Sequence, residues 1–159
     1  VILPMIKSPQ QLKDIISTCC WPPAGKRGVG FSRANLFGDE FQNYKELAQS
    51  PLIFAQIEHI KAVENLEDII QVASLDGVIV GPYDLSASMG LTAEFNNNKF
   101  LDVLDNIINI CNIHRIPCGD HIVDPDPDLL RLRIKQGFRL LAYGTDGVFL
   151  NSSCKNPEK

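Results

Sequence analysis

The chain has 159 residues, 45% hydrophobic and 21% charged, with a formal net charge of −4. Those values describe a globular domain long enough to bury a core, and no basic stripe exists to neutralise nucleic-acid phosphates. The longest apolar runs, such as Asp76 to Gly81, are far too short to cross a bilayer. Val1-Ile2-Leu3-Pro4 lacks the charged region and cleavage site of a signal peptide. It is a strand-like start without Met, as expected of a piece of a longer protein. Five cysteines, with neither a C-x-x-C nor a Cys/His zinc spacing, fit free thiols in a reducing cytoplasm.

Val1 to Ile6 reads as a strand. Ser8 then caps a helix, with Pro9 at its first position and Gln11 closing a capping box. Leu12, Ile15, Ile16 and Cys19 give that helix one apolar face, and Trp21-Pro22-Pro23 ends it. Lys26 to Tyr44 shows little periodicity and reads as a long loop, functional or interfacial. Its Arg27 and Arg33 are candidates for anion or subunit contacts. Leu52 to Glu58 is the second strand, on which Phe54, Gln56 and Glu58 share one face. Asn65-Leu66-Glu67-Asp68 opens the next helix, with Leu66, Ile69, Ile70 and Ala73 as its core stripe.

Gly77-Val78-Ile79-Val80 reads as a buried strand that leaves through a Gly81-Pro82 turn and presents Asp84. A loop runs from Ser88 to Asn98. Phe100, Leu104, Ile107, Ile108 and Cys111 then mark an amphipathic helix. A fourth strand covers 116–121, Asp124 and Asp126 stand as helix N-caps before Leu129, and a fifth strand covers 138–143. Asp146 to Leu150 turns into a short helix, and a polar tail follows from Asn151 to Lys159. Strands alternating with helices predict α/β architecture with a parallel sheet and right-handed crossovers. Five such units suit either a small doubly wound domain or part of an eight-fold barrel. No Gly-rich phosphate fingerprint is present.

In such folds, ligands bind at the carboxyl ends of the strands. Glu58 and Asp84 lie there, one βα unit apart, and neighbouring strands are about 4.8 Å apart. Two carboxylates so placed can converge on one hard cation such as Mg²⁺ or Mn²⁺. His121 also lies at a strand end, as an alternative base or a purely structural residue.

Several stretches occur together and in order. They are Pro22-Pro23-Ala24-Gly25-Lys26-Arg27-Gly28-Val29-Gly30, Ser32-Arg33-Ala34-Asn35, Gln56-Ile57-Glu58, Ala62-Val63-Glu64-Asn65 and Gly81-Pro82-Tyr83-Asp84-Leu85-Ser86. As a set they resemble the HpcH/HpaI aldolase and citrate lyase family, specifically its metal-dependent 2-keto-3-deoxy sugar-acid aldolases. The resemblance implies a (β/α)₈ barrel of which residues 1–150 form the C-terminal portion, about the last five βα units, with 151–159 as a tail. It implies Glu58 and Asp84 as ligands of a divalent metal, Mg²⁺ or alternatively Mn²⁺ or Co²⁺. Gln56 is then a catalytic and substrate-binding residue beside the 2-oxo group. Gly81, Pro82, Tyr83 and Asp84 form the turn whose backbone amides receive the pyruvate carboxylate.

The implied reaction is retro-aldol cleavage of a 4-hydroxy-2-oxo acid to pyruvate and an aldehyde, in a homo-oligomer that is hexameric in the family. The implied partner is a small-molecule 2-oxo acid, with neither nucleic acid nor membrane involved. A Schiff-base route would need a lysine at a strand end, and only Lys7 and Lys61 come near one. Relatives begin with three further βα units that carry the catalytic histidine, its aspartate partner and a substrate-binding arginine. The competing expectation is therefore a catalytically incomplete barrel fragment that binds metal or oxo-acid, or that assembles with a partner chain.

Overall fold

Among residues 1–154, which the computed structural model describes, five strands alternate with eight helices. The strands lie in sequence order β1-β2-β3-β4-β5, every pair parallel. Strand β1 is Ile2–Leu3, β2 Phe54–Ile57, β3 Gly77–Val80, β4 Cys118–Ile122 and β5 Leu140–Tyr143. The helices are α1 Pro9–Cys19, α2 Phe41–Gln49, α3 Ile60–Glu64, α4 Leu66–Ile70, α5 Pro82–Ser88, α6 Asn98–His114, α7 Pro127–Gln136 and α8 Asp146–Ser153. Consecutive parallel strands joined through helices are the sequential order of a β/α barrel wall rather than the reversal point of a doubly wound sheet.

The register sorts side chains onto two faces. Ile57, Val80, Asp120 and Leu141 are paired across the sheet, and so are Gln56, Ile79, Gly119 and Leu140. Ala55, Ile57, Val78 and Val80 are fully enclosed beneath Leu66 and Ile69 of α4 and Leu104, Ile107 and Cys111 of α6. Burying each branched side chain is worth about 1.5–3 kcal/mol, so this outer face holds the sheet and helices together. Phe54 and Gln56 lie on the inner face and stay half-exposed. There Phe54 lies across Gly77, where a methyl group would meet its ring at 3.0 Å.

Local signals account for most element ends. Ser8 accepts the Gln11 amide at 3.2 Å and Pro9 opens α1. The reciprocal bond is displaced, because Gln11 Oε1 accepts the amide of Lys7 rather than that of Ser8. Asp126 caps α7 by accepting the Asp128 and Leu129 amides. Arg115 ends α6 in the left-handed region, and Gly137 does the same for α7.

Several segments differ from the expectation. The loop expected over 26–44 contains a 3₁₀ turn, Arg33–Gly38, and the start of α2. Asn35 builds that turn: its side chain accepts the Ser32 amide and donates to the Gly30 carbonyl. The helix expected from Asn65 is α4, with Asn65 at its N-cap but no side-chain capping bond, and an additional short helix, α3, precedes it, capped by the His59 imidazole, which accepts the Lys61 amide. Asn65 instead ties down the β1–α1 loop by donating to Lys7 O at 2.8 Å. The tail expected from Asn151 starts inside α8, which runs through Ser153, and its remainder, 155–159, lies outside the described residues.

Candidate metal and substrate site

The site is built from three consecutive strand ends. Glu58 follows β2 directly and is 4% exposed. Its Oε1 accepts the backbone N–H of Met5, at the end of β1, at 2.6 Å. Met5 can aim that N–H because it sits at φ 55°, a region that costs a side-chain-bearing residue strain. Its neighbouring loop is pinned by Gln11, which donates to Met5 O. The second carboxylate oxygen, Oε2, lies over Gly81: a methyl group on Gly81 would stand 2.6 Å from it and 2.9 Å from Gln56 Nε2. The ends of Gln56 and Glu58 therefore lie side by side in space that a glycine leaves open.

Gly81 continues the sheet ladder, donating to Ile57 O at 3.2 Å, and the chain then turns at once into α5. The expected Gly-Pro turn is thus the N-terminus of a helix: Pro82 is its first residue and Asp84 lies in its first turn. Pro82 has no N–H to satisfy, and no side chain caps the turn. Among the described residues, the amides of Tyr83 and Asp84 therefore have no acceptor, the ordinary state of first-turn donors. Ser86 braces the helix by donating to Tyr83 O and accepting the Ala93 amide. Ser88 accepts the Ile60 amide and so joins the end of α5 to the start of α3. The Tyr83 ring packs edge-on against Phe95 at 4.9 Å, so Tyr83 faces the site through its backbone.

Burial pushes the Glu58 carboxyl above the ordinary glutamate range, the Met5 N–H opposes this, and the Asp84 charge adds to it. Two like charges acting on one another, with no cation among the influences on Glu58, form a donor set that a divalent ion would neutralise. Asp84 itself is exposed, and the described residues contain no cluster of three or more acid, His or Cys groups placed to hold a metal. The oxygen donors at this end of the sheet are thus two carboxylates, one buried and one exposed.

The other candidates fall elsewhere. Arg27 stacks over Trp21 and Tyr44 and donates to the Tyr44 hydroxyl, so it serves the fold beside α2. Arg33 is solvent-exposed. His59 is a helix cap, and His114 lies in the last turn of α6. Lys61 belongs to α3 and Lys7 to the β1–α1 loop, so among the described residues no lysine occupies the inner face of a strand.

Two features escaped sequence reasoning. The Met5 N–H has no side-chain signature, and Met gives no hint of a left-handed backbone. Asp120 and Arg133 form a buried ion pair at 2.6 Å, with side chains 3% and 7% exposed. Here an outward-facing strand acid meets the α7 arginine, although 116–121 carries an Asp-His pair that draws the eye first.

The HpcH/HpaI aldolase/citrate lyase family model matches residues 1–153. A 2-keto-3-deoxy-L-rhamnonate aldolase from Salmonella paratyphi A is 32% identical, over 98% of this chain and 58% of its own length. The chain therefore spans under two thirds of the curated relatives it matches. An HpcH/HpaI aldolase/citrate lyase family protein from Burkholderia cenocepacia J2315 superposes with a TM-score of 0.84 at 24% identity, covering 96% of this chain and 60% of that one. The citrate lyase beta subunit from M. tuberculosis, solved with oxaloacetate and magnesium, gives a TM-score of 0.58 at 14% identity, over 93% of this chain and 56% of that one. Its neighbours place the fold among the TIM-barrel aldolases, with this chain matching five parallel βα units of their barrel.

Proposed function

Because the chain belongs to the HpcH/HpaI aldolase/citrate lyase family, we propose that the protein is a metal-dependent aldolase. It would cleave a 4-hydroxy-2-oxo acid of the 2-keto-3-deoxy sugar-acid class to pyruvate and an aldehyde. Residues 1–150 form the C-terminal portion of its barrel. The observation that carries the reading is Glu58, a buried carboxylate oriented by Met5 N–H and pressed by the Asp84 charge, with no ion pair to a cationic side chain among the described residues. Relatives named for a 2-keto-3-deoxy acid, and a neighbour solved with oxaloacetate and magnesium, support the substrate class and the ion.

Glu58 and Asp84 hold the divalent ion, Mg²⁺ in the first instance and Mn²⁺ or Co²⁺ otherwise. When bound, such an ion supplies Lewis-acid stabilisation of the negative charge that develops on the 2-oxo acid. The chain's own groups do the positioning. Gln56, beside Glu58 over Gly81, donates its carboxamide N–H toward the 2-oxo oxygen. The uncapped Tyr83 and Asp84 amides, on a turn rigidified by Pro82, receive the substrate carboxylate. Gly81 leaves room for all of them.

Homo-oligomerisation is part of the proposal. The 3₁₀ turn and its approach expose Phe31 and Phe37 at 72% and 71%, together with Val29 and Leu36, an apolar patch of the kind that marks interfaces. Five free cysteines among the described residues support a reducing compartment such as the cytoplasm.

A second reading is favoured by one observation: among the described residues no histidine pairs with an acid at the site. The chain alone would then bind metal and oxo-acid without turnover, with proton transfer supplied by other parts of the protein or by a partner chain. Pyruvate release, measured with and without EDTA on this chain and on the full-length protein, tests both. EDTA-sensitive release by the full-length protein supports the aldolase. Metal binding by this chain without release, whether or not the full-length protein releases pyruvate, supports the incomplete reading of the chain alone.

A further inference from the structure

The inner face of the sheet carries few polar groups. Following the register, its side chains are Ile2, Phe54 and Gln56, then Ile79, then His121, then Leu140 and Ala142, with glycines at 77, 81 and 119. Gln56 and His121 are the only N–H-bearing side chains among them. Gln56 is placed beside Glu58, which leaves His121 as the donor still unassigned on that face.

Its level in the sheet is informative. Ile57 pairs with Val80, and Val80 with Asp120. One residue further along, Glu58, Gly81 and His121 fall in a single row, followed by Ala142, which pairs with His121 directly. His121 therefore stands in the row of Glu58, separated from it by a strand that presents no side chain. Two strand spacings put their Cα atoms about 10 Å apart. That is too far to share an ion, in line with the absence of a three-ligand cluster among the described residues. It matches the span of a short sugar-acid chain lying across Gly81.

The backbone of His121 is held and its side chain is not sealed off. Asp120 Oδ1 accepts the backbone N–H of His121 at 2.9 Å, while Asp120 Oδ2 accepts Arg133 Nε behind the sheet. His121 is half-buried rather than enclosed by the core.

We propose that His121 is a specificity-determining residue that donates a hydrogen bond to an oxygen, hydroxyl or carboxylate, on the half of the substrate that leaves as the aldehyde. This rests on the reading of Glu58 and Asp84 as the metal site, which fixes where the 2-oxo end lies.

The test uses the full-length protein loaded with Mg²⁺ and two contrasts. Calorimetry compares 2-oxoadipate with 2-oxohexanoate, which lack the 4-hydroxyl and are not cleaved, so binding is read without turnover. Aldol addition of pyruvate compares kcat/KM for glyceraldehyde and butanal. Oxalate affinity reports the metal and 2-oxo-acid half. In His121→Leu, at least one contrast should shrink by about tenfold, with oxalate affinity within twofold of wild type. His121→Asn, which keeps an N–H donor, should retain most of the contrast. The contrast that collapses identifies the oxygen as carboxylate or hydroxyl.

Both contrasts unchanged in His121→Leu would overturn the proposal, and so would loss of oxalate affinity, which would move His121 to the metal half. Failure of the underlying metal reading looks different: wild-type protein would bind oxalate no better with Mg²⁺ than with EDTA.

Discussion

Replacing Gly81 with alanine tests the site through a single methyl group. Gly81 has φ −101° and ψ 92°, a conformation open to any residue, so Gly81→Ala introduces no backbone strain. Its N–H bond to Ile57 O survives for the same reason. The new carbon would stand 2.6 Å from Glu58 Oε2, 2.9 Å from Glu58 Cβ and 2.9 Å from Gln56 Nε2. Glu58 cannot simply swing away, because its other oxygen is held by Met5 N–H at 2.6 Å. Either that bond breaks, at about 1.5–3 kcal/mol for a hydrogen bond to a charged group, or the strands separate, at a similar overpacking cost. At 1.4 kcal/mol per tenfold, Mn²⁺ affinity measured by calorimetry should fall by about 10–100-fold. Gly28→Ala is the control, since nothing lies within 4 Å of its added carbon, and it should bind as wild type. A folded Gly81→Ala protein with wild-type Mn²⁺ affinity would refute the placement of the Glu58 carboxylate at the metal.

Asp84→Asn should abolish detectable Mn²⁺ binding while leaving thermal stability nearly unchanged, because Asp84 is exposed; retained binding would remove Asp84 from the ligand set. Metal and proton compete for Glu58, whose carboxyl is held above the ordinary glutamate range first by burial. Mn²⁺ affinity should therefore keep rising with pH past that range and level off once Glu58 is ionised, and a midpoint at the ordinary glutamate value would contradict the burial. The metal-free protein runs the other way. A carboxyl whose folded pKa exceeds its unfolded value adds stability below the unfolded value, and loses it as pH rises through the folded one, which denaturant titrations across pH can follow. Arg133→Met strands the buried Asp120 carboxylate and should cost about 3–5 kcal/mol. Adding Asp120→Asn should recover a large part of that loss in the same unfolding assay, and an exposed pair would show neither effect.

How far the sequence could be read depended on whether a feature was periodic or local. Strand β2 and helix α6 were legible because their apolar residues repeat with the period of the element, and β3 because it is an unbroken apolar run closed by a Gly-Pro pair; caps such as Ser8 and Asp126 were legible because their partners lie within three residues. The segment 26–44 was not, since its order comes from Asn35 bonding Gly30 and Ser32 and from Arg27 lying on Trp21 and Tyr44, contacts without a period. Glu58 and Asp84 could be nominated from their positions at strand ends.

What could not be read is how Glu58 is aimed. Its orienting donor is a backbone amide 53 residues away, supplied by a methionine in a conformation that glycine or asparagine would ordinarily signal. The same holds for the row of Glu58, Gly81 and His121. A parallel pairing leaves no mark in either strand, and a one-residue slip in β4 would have put Asp120 on the inner face and His121 behind the sheet. Register, more than residue identity, decides which strand-end groups face one another across this site, and it is set by the outward row of Ile57, Val80, Asp120 and Leu141 packing beneath the helices. The chemistry on one face is thus fixed by burial on the other, and Asp120, held by Arg133, is the one polar member of that outward row.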